Sequence, residues 1–180
     1  GKGHLFVAGS GTGHIWVLRL SDGALVEVIG RFGRQQGQFD TPLDIDISPE
    51  GKLAVVDSGN KRVQIFDADR KFLREIHYKE ETKKKELRSL LPRGVCWLPS
   101  GDLAVSYPTF NQVVSWNPSG NVVWRYGVKG NRKGELNEPS YMIPGPSGHL
   151  LIADSGNHRI VEITANGLFV KNFPIGRGSG

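Results

Sequence analysis

The chain has 180 residues, of which 38% are hydrophobic and 23% are charged, and this composition excludes a disordered or low-complexity polymer. No apolar run approaches the roughly 20 residues that a membrane-spanning helix needs. The formal net charge of +5 favours acidic partners without identifying them. The single cysteine cannot form an internal disulfide, and we find neither a secretory signal nor a glycosylation sequon. We therefore predict a cytoplasmic protein.

Two sequence landmarks recur along the chain with one common period. Glycines that precede apolar runs lie 48, 50 and 47 residues apart, at Gly3, Gly51, Gly101 and Gly148. Prolines that precede another set of apolar runs lie 50 and 47 residues apart, at Pro42, Pro92 and Pro139. Because the two landmarks keep the same period independently, they indicate a true structural repeat.

Each repeat has the pattern of four short strands, in the segments 1–40, 41–90, 91–138 and 139–180. The second segment is the clearest and contains, in order, Leu43–Ile47, Leu53–Val56, Arg62–Phe66 and Phe72–Ile76. Pro-x-Gly turns separate the strands, and no segment has a sustained helical period. The first segment begins at its second strand. The prediction is an all-β fold: a β-propeller of four-stranded antiparallel blades, with about four blades visible and the first one incomplete.

Two segments carry a more specific motif. Residues 56–66 and 153–160 both contain Asp-Ser-Gly-Asn-x-Arg at a strand–turn–strand boundary, and the glycine-rich stretch 32–42 precedes the first of them. These segments resemble the NHL repeat, as found in the C-terminal module of tripartite-motif (TRIM-NHL) ubiquitin ligases and related translational repressors. The resemblance implies a binding propeller, commonly six-bladed, with ubiquitin ligase activity in other domains.

A six-bladed relative implies that this chain is a fragment of a larger propeller. A closed four-bladed ring with an incomplete blade is the alternative. An open fragment exposes strand edges, so we expect it to associate with the rest of the parent propeller or with a second copy.

We interpret the Asp, Asn and Arg residues of the repeated motif as residues that stabilise the fold. The Asp that ends one strand and the Arg that starts the next can pair across the turn, and Asn tolerates the left-handed backbone that such a turn needs. These structural residues are Asp57, Asn60, Arg62, Asp154, Asn157 and Arg159. In the first and third segments the Asp and Arg places are taken by Gly9 and His14, and by Tyr107 and Gln112.

The positive charge concentrates in connections that are predicted to lie on one face. Turns between the second and third strands emerge beside the inter-blade connections, and these connections hold the net positive charge. The candidate partner-binding residues are Arg31, Arg34, Lys61, Lys79, Lys83, Lys84, Lys85, Arg88, Tyr107, Phe110, Lys129, Arg132, Lys133 and His158. An alternative interpretation of Lys83, Lys84 and Lys85 is a solvated loop with Glu–Lys pairs four residues apart.

Cationic side chains for phosphates and aromatic rings for stacking are the chemistry that single-stranded RNA requires. The same face could instead recruit an acidic protein segment, as in a propeller that presents substrates to a ubiquitin ligase or assembly, and both alternatives stay open. The tryptophans lie within predicted strands and are interpreted as blade-packing residues.

We predict no catalytic residue, no cofactor and no metal. The five histidines do not form a set that converges like metal ligands, and the turn serines lack a base with an orienting acid. Asp44 and Asp46 share one face of an inner strand, which could favour a cation, but one strand does not make a site. An extracellular sensor or lyase-type propeller is the less favoured alternative.

Overall fold

The computed structural model describes residues 3–78 and 91–175, which fall into two compact units divided between Pro92 and Arg93. Each unit contains two antiparallel sheets whose strands pair in chain order. The predicted all-β architecture of antiparallel blade sheets is confirmed, including the incomplete first sheet, which has three strands. Among the described residues, helical structure is confined to 3-10 turns, at Ser58–Asn60, Pro108–Phe110, Pro146–Gly148 and Ser155–Asn157.

The first unit holds sheets 1 and 2. Sheet 1 consists of β1 (His4–Gly9), β2 (His14–Arg19) and β3 (Leu25–Ile29). Sheet 2 consists of β4 (Pro42–Ile47), β5 (Leu53–Asp57), β6 (Arg62–Phe66) and β7 (Phe72–Ile76). The predicted third and fourth strands of this sheet have the bounds expected from the sequence, and the first two differ by one residue.

The second unit holds sheets 3 and 4. Sheet 3 consists of β8 (Val95–Trp97), β9 (Leu103–Tyr107), β10 (Gln112–Trp116) and β11 (Val122–Tyr126). Sheet 4 consists of β12 (Pro139–Pro144), β13 (Leu150–Asp154), β14 (Arg159–Ile163) and β15 (Phe169–Pro174). In this unit β8 and β12, the first strands of the two sheets, lie against each other.

Burial explains why the apolar pattern differs along each sheet. Strands β5 and β6 are buried at every residue, because both of their faces are covered, whereas β7 alternates between covered and exposed positions. Glycines with positive φ close the turns, as at Gly51 (φ 84°) between β4 and β5, where a residue with a Cβ would be strained. The pattern of apolar residues along each strand therefore indicates whether the strand is central or lies at the edge of its sheet.

In each unit an apolar core lies between the two sheets. In the first unit the core joins side chains of β2 and β3 to those of β5 and β6, and its centre is Phe39 from the β3–β4 loop. Phe39 is fully buried and meets Phe66 edge to face, with ring centroids 6.0 Å apart. In the second unit the fully buried Leu136 occupies the same place in the β11–β12 loop.

The two units repeat each other with a constant offset of 97 residues across the inter-sheet loop and the turn that follows. Gly33 and Gly130 both have φ near 150°, and Thr41 and Glu138 both have positive φ just before the proline that starts the next sheet. The backbone of the loop is therefore the same in both units, although its side chains differ. Separately, no helix in the described ranges is long and apolar enough to cross a membrane.

The buried and exposed phenylalanines of the β3–β4 loop give a matched test of this core. Phe39→Ala is expected to lower the free energy of unfolding by about 3–5 kcal/mol, because it opens a cavity in a closely packed core. Phe32→Ala, in the same loop but with a ring 68% exposed, should change it by less than about 0.5 kcal/mol. Urea denaturation of both variants measures the difference, and equal destabilisation would contradict the assigned core.

Candidate binding surfaces

A fully buried carboxylate anchors the β3–β4 loop to sheet 2. Asp57, at the end of β5, accepts hydrogen bonds from the backbone N–H of Asp40 at 2.7 Å and from Nε of Arg62 at 2.8 Å. The amide of Asn60 donates to both Asp57 oxygens, at 2.9 and 3.0 Å. The buried charge is thus satisfied by donors from the loop and from the turn together, which ties the two segments to each other.

Arg62 extends this network from the carboxylate to the loop backbone. Its side chain is 7% exposed and donates to the backbone oxygens of Gln35, at 2.8 Å, and Gln38, at 3.1 Å. Its remaining terminal nitrogen lies 2.7 Å from Oε2 of Glu75 on β7. The guanidinium therefore joins the loop, the end of β5 and the outermost strand of the sheet.

Gln64 completes the anchor and was missed by the sequence analysis. Its fully buried amide accepts from the N–H of Gly37 at 3.0 Å and donates to the oxygen of Gln38 at 2.8 Å. It also donates to Asp57 at 3.1 Å. A polar residue inside an otherwise apolar strand was the available signal, because a buried amide must find backbone partners.

The second unit repeats the anchor with Asp154 at its centre. Asp154 is fully buried and accepts from the N–H of Asn137 at 2.6 Å and from Nε of Arg159 at 2.7 Å. Arg159 donates to the backbone oxygen of Asn131 at 2.6 Å and to that of Glu135 at 2.8 Å. Asn157 donates to Asp154 and to the oxygen of Gly130, both at 2.8 Å.

The second unit lacks the glutamine of the first. Val161 stands 97 positions after Gln64, while Tyr126 stands 97 positions after Ile29. Burial raises the pKa of Tyr126, and the opposing influences are the positive charge of Arg159 and the backbone N–H of Gly134. Gly134 is the counterpart of Gly37, but the buried Tyr126 hydroxyl makes no hydrogen bond within the described residues.

Both Asp–Arg pairs that the sequence predicts are present, but the predicted role of the asparagines is wrong. Left-handed backbone occurs one residue later, at Lys61 (φ 59°) and His158 (φ 53°). Asn60 and Asn157 instead lie within the 3-10 turns, where their side chains bridge the carboxylate and a loop carbonyl. The position needs an amide donor, not a special backbone angle.

The anchor places a set of cationic side chains on the surface of the first unit. Arg31 and Arg34 are exposed on the β3–β4 loop, and Lys61 is exposed on the adjoining turn. Between the two arginines Phe32 is 68% exposed, while its backbone is fixed by a bridge to Phe39. We call Arg31, Phe32, Arg34 and Lys61 the unit-1 loop surface. Phe32 was not singled out from the sequence, since nothing local distinguishes it from a core phenylalanine.

A comparable set lies on the second unit. Lys129, Arg132 and Lys133 are exposed on the β11–β12 loop, and His158 is exposed on the turn that Asn157 links to it. Phe110 is half-buried on the other adjoining turn, which is joined to the loop by the Asn111 side chain accepting from the N–H of Glu138 at 3.0 Å. We call Phe110, Lys129, Arg132, Lys133 and His158 the unit-2 loop surface. Here Lys133 Nζ lies 5.3 Å from the ring centroid of Phe169.

The prediction that Tyr107 presents its ring to a partner is wrong. Its side chain is only 2% exposed, because it ends β9 at the place of Asp57 and Asp154 and points into the sheet packing. The predicted basic residues Lys79, Lys83, Lys84, Lys85 and Arg88 lie outside the described residues. Within residues 3–78 and 91–175 there is no group of three or more His, Cys, Asp or Glu side chains that could hold a metal ion.

Comparisons with known proteins agree with this geometry. Residues 39–66, from the buried Phe39 to the end of β6, match the family model of the NHL repeat. Among solved structures, a streptogramin B lyase superposes with a TM-score of 0.73 at 15% identity over 98% of this chain and 53% of that chain. The structure of U3-55K gives 0.71 at 16% identity, over 96% of this chain and 48% of that chain. Identities this low show the fold alone.

The repeat match and the blade sheets together support an NHL-repeat β-propeller. Its sequence is similar to Protein brain tumor of Drosophila melanogaster, with 26% identity over 147 residues, which is 80% of this chain and 13% of that protein. It is also similar to the B-box type zinc finger protein ncl-1 of Caenorhabditis elegans, with 37% identity over 43 residues, 24% of this chain and 5% of that protein. The chain thus resembles a TRIM-NHL propeller module and spans a small part of these relatives.

The anchor predicts a large difference between two arginines of the same region. Arg62→Ala should lower the free energy of unfolding by about 3 kcal/mol, since it leaves a buried carboxylate and two loop carbonyls without their main donor. Arg34→Ala, which removes an exposed guanidinium from the loop, should change it by less than about 0.5 kcal/mol. Chemical denaturation of both variants measures this, and a small effect of Arg62→Ala would contradict the anchor.

The acidic partner of Arg62 gives a pH-dependent test. The pKa of Glu75 lies below its ordinary value of 4.5, chiefly because of the hydrogen bond from His77, with Arg62 adding to it and burial opposing it. A depressed carboxyl pKa stabilises the fold above the ordinary value and loses that contribution as the pH falls through the lowered one. The stability difference between wild type and Glu75→Gln should therefore shrink below pH 4.5.

The control for this titration is the same comparison in a His77→Ala background. Because the main cause of the shift is then absent, the loss should be smaller and should be complete at a higher pH. If the loss of stability at acid pH is the same with and without His77, then His77 is not the main cause of the lowered Glu75 pKa.

Proposed function

We propose that the chain is a non-catalytic binding module whose loop surfaces bind single-stranded RNA. The observation that carries the proposal is the unit-1 loop surface, where an exposed phenylalanine ring stands between two exposed arginines on a loop of fixed backbone. Unpaired bases stack on such rings, while guanidinium groups contact the neighbouring phosphates. The unit-2 loop surface supports the proposal with three further cations and the half-buried Phe110.

Preorganisation strengthens this interpretation. The loop that carries Arg31, Phe32 and Arg34 is held by at least four backbone contacts to Asn60, Arg62 and Gln64, so its side chains start from a fixed platform. Binding to a fixed platform avoids the entropic cost of ordering a loop. The relatives named above are similar to this chain in its propeller, and ubiquitin ligase activity, if it accompanies this module, belongs to other domains.

The direct test is fluorescence anisotropy with a labelled polyuridine of about 15 nucleotides, a length that several stacked bases and phosphate contacts require. Affinity should fall between about 50 and 200 mM salt, with a slope of about 0.7 in log Kd against log salt for each phosphate contact. Arg31→Ala and Arg34→Ala should each weaken binding and reduce this slope by about one contact.

Phe32→Ala separates stacking from charge. It should weaken binding roughly tenfold at every salt concentration while leaving the slope unchanged, because it removes a ring and no charge. Lys71→Ala is the matched control, since it removes an exposed cation from the β6–β7 turn, at the other end of the strands. Binding to a fully paired duplex should not depend on Phe32.

An acidic protein segment is the alternative partner. The same anisotropy experiment distinguishes it from RNA. If polyglutamate competes as well as RNA, and if Phe32→Ala has no effect on either, the RNA proposal fails. The loop surfaces would then act through their charge alone.

A further inference from the structure

The turn between β1 and β2 lies directly against the backbone of Phe32. Gly13, the last residue of this turn, is buried and has left-handed backbone, with φ of 69°. A Cβ on Gly13 would lie 2.5 Å from the Cα of Phe32 and 2.6 Å from both its N and the carbonyl oxygen of Phe39. Because side chains do not pack this close to backbone atoms, only glycine allows the loop to approach the turn at this point.

Hydrogen bonds hold the turn and the loop on both sides of this contact. The carbonyl oxygen of Gly9 accepts from the N–H groups of Thr12 and Gly13, both at 3.0 Å, and from the Thr12 hydroxyl at 3.2 Å. Asn60 of sheet 2 donates to the carbonyl oxygen of Gly33, the residue after Phe32, at 2.8 Å. The loop segment that carries Phe32 is therefore fixed by a turn from each of the two sheets.

The corresponding turn of the second unit follows β9 in sheet 3. Gly9 pairs with His14 across the first turn as Tyr107 pairs with Gln112 across the second, so the residues between them correspond in order. Asn111 thus takes the place of Gly13, and its backbone is also left-handed, with φ of 55°. The backbone of the two turns is alike at this position, but only the second turn carries a side chain there.

The two units also present their aromatic rings from different elements. Lys129 takes the place of Phe32, since it bridges to Leu136 as Phe32 bridges to Phe39. The ring of the second unit is on the turn instead, at Phe110, where the first unit has the small and exposed Thr12. A glycine in the turn therefore accompanies a ring on the loop, and an asparagine in the turn accompanies a ring on the turn.

We propose that Gly13 is the positioning residue of the unit-1 loop surface. It permits the close approach of loop and turn that fixes the Phe32 ring where an unpaired base can stack on it, although Gly13 itself does not contact the RNA. This inference rests on the proposed function, because it concerns how that same surface holds RNA. Preorganising the ring in this way avoids the cost of ordering it on binding.

Fluorescence anisotropy with the labelled polyuridine probe tests the role of Gly13. Gly13→Ala should raise the Kd about tenfold, as is expected for Phe32→Ala, because the displaced ring no longer stacks on the base. The slope of log Kd against log salt should stay the same, since no charge is lost. In the double variant the two effects should not multiply, because both remove the same stacking contact.

Gly23→Ala is the matched control for backbone strain. Gly23 has φ of 72° in the β2–β3 turn of the same sheet, and a Cβ on it would meet no atom within 4 Å. Alanine introduces the same strained φ at both positions, but only Gly13→Ala also displaces the loop. Gly23→Ala should therefore lower the midpoint of thermal unfolding and leave the affinity for RNA unchanged. Equal losses of affinity in the two variants, or effects of Gly13→Ala and Phe32→Ala that multiply, would overturn the proposal.

A transplanted turn keeps the test open if Gly13→Ala does not fold. Gly13→Asn adds a Cβ with a residue that adopts left-handed backbone readily, and with Phe32→Lys it gives the first unit two residues of the second. Adding Thr12→Phe completes the exchange and should lower the Kd about tenfold relative to that double variant, because the ring is restored on the turn. Equal binding with and without Thr12→Phe would contradict a role of this turn in the site.

The two proposals fail in different ways. If the wild type does not bind polyuridine, the proposed function fails and the role of Gly13 fails with it. If the wild type binds and Phe32→Ala weakens binding, but Gly13→Ala binds as tightly as Gly23→Ala, then only the role of Gly13 is wrong.

Discussion

The carboxylates of Asp57 and Asp154 control how each unit presents its surface. A buried carboxylate is tolerated only when donors surround it, and here the donors come from the inter-sheet loop as well as from the adjacent turn. Satisfying the charge therefore also fixes the loop. The exposed cations and Phe32 are displayed from a backbone that the interior of the sheet holds in place.

The two units share the carboxylate–arginine anchor but differ in the groups around it. Gln64 accepts a hydrogen bond from the loop N–H of Gly37, whereas Val161 stands at its place in the second unit and the Tyr126 hydroxyl has no hydrogen-bond partner within the described residues. The arginine is the constant element because its guanidinium reaches several loop carbonyls at once from one fixed position. A repeat can thus change the side chains around the anchor while the arginine keeps its contacts to the loop backbone.

The proposed RNA contact depends on the loops, which present charge and an aromatic ring on a rigid frame. Such a frame suits a polyanion with unpaired bases.

The sequence by itself determined the period, the strands and the Asp–Arg pairs, because these depend on alternation and on a spacing of five residues within one turn. It could not show that Arg62 binds carbonyls of the preceding loop. Every residue has a backbone carbonyl, so the sequence does not indicate which of them accept hydrogen bonds. It also could not separate the exposed Phe32 from the buried Tyr107, both aromatic residues beside a turn. Only the tertiary structure decided these, because exposure depends on which sheet packs over a residue and not on its neighbours in the chain.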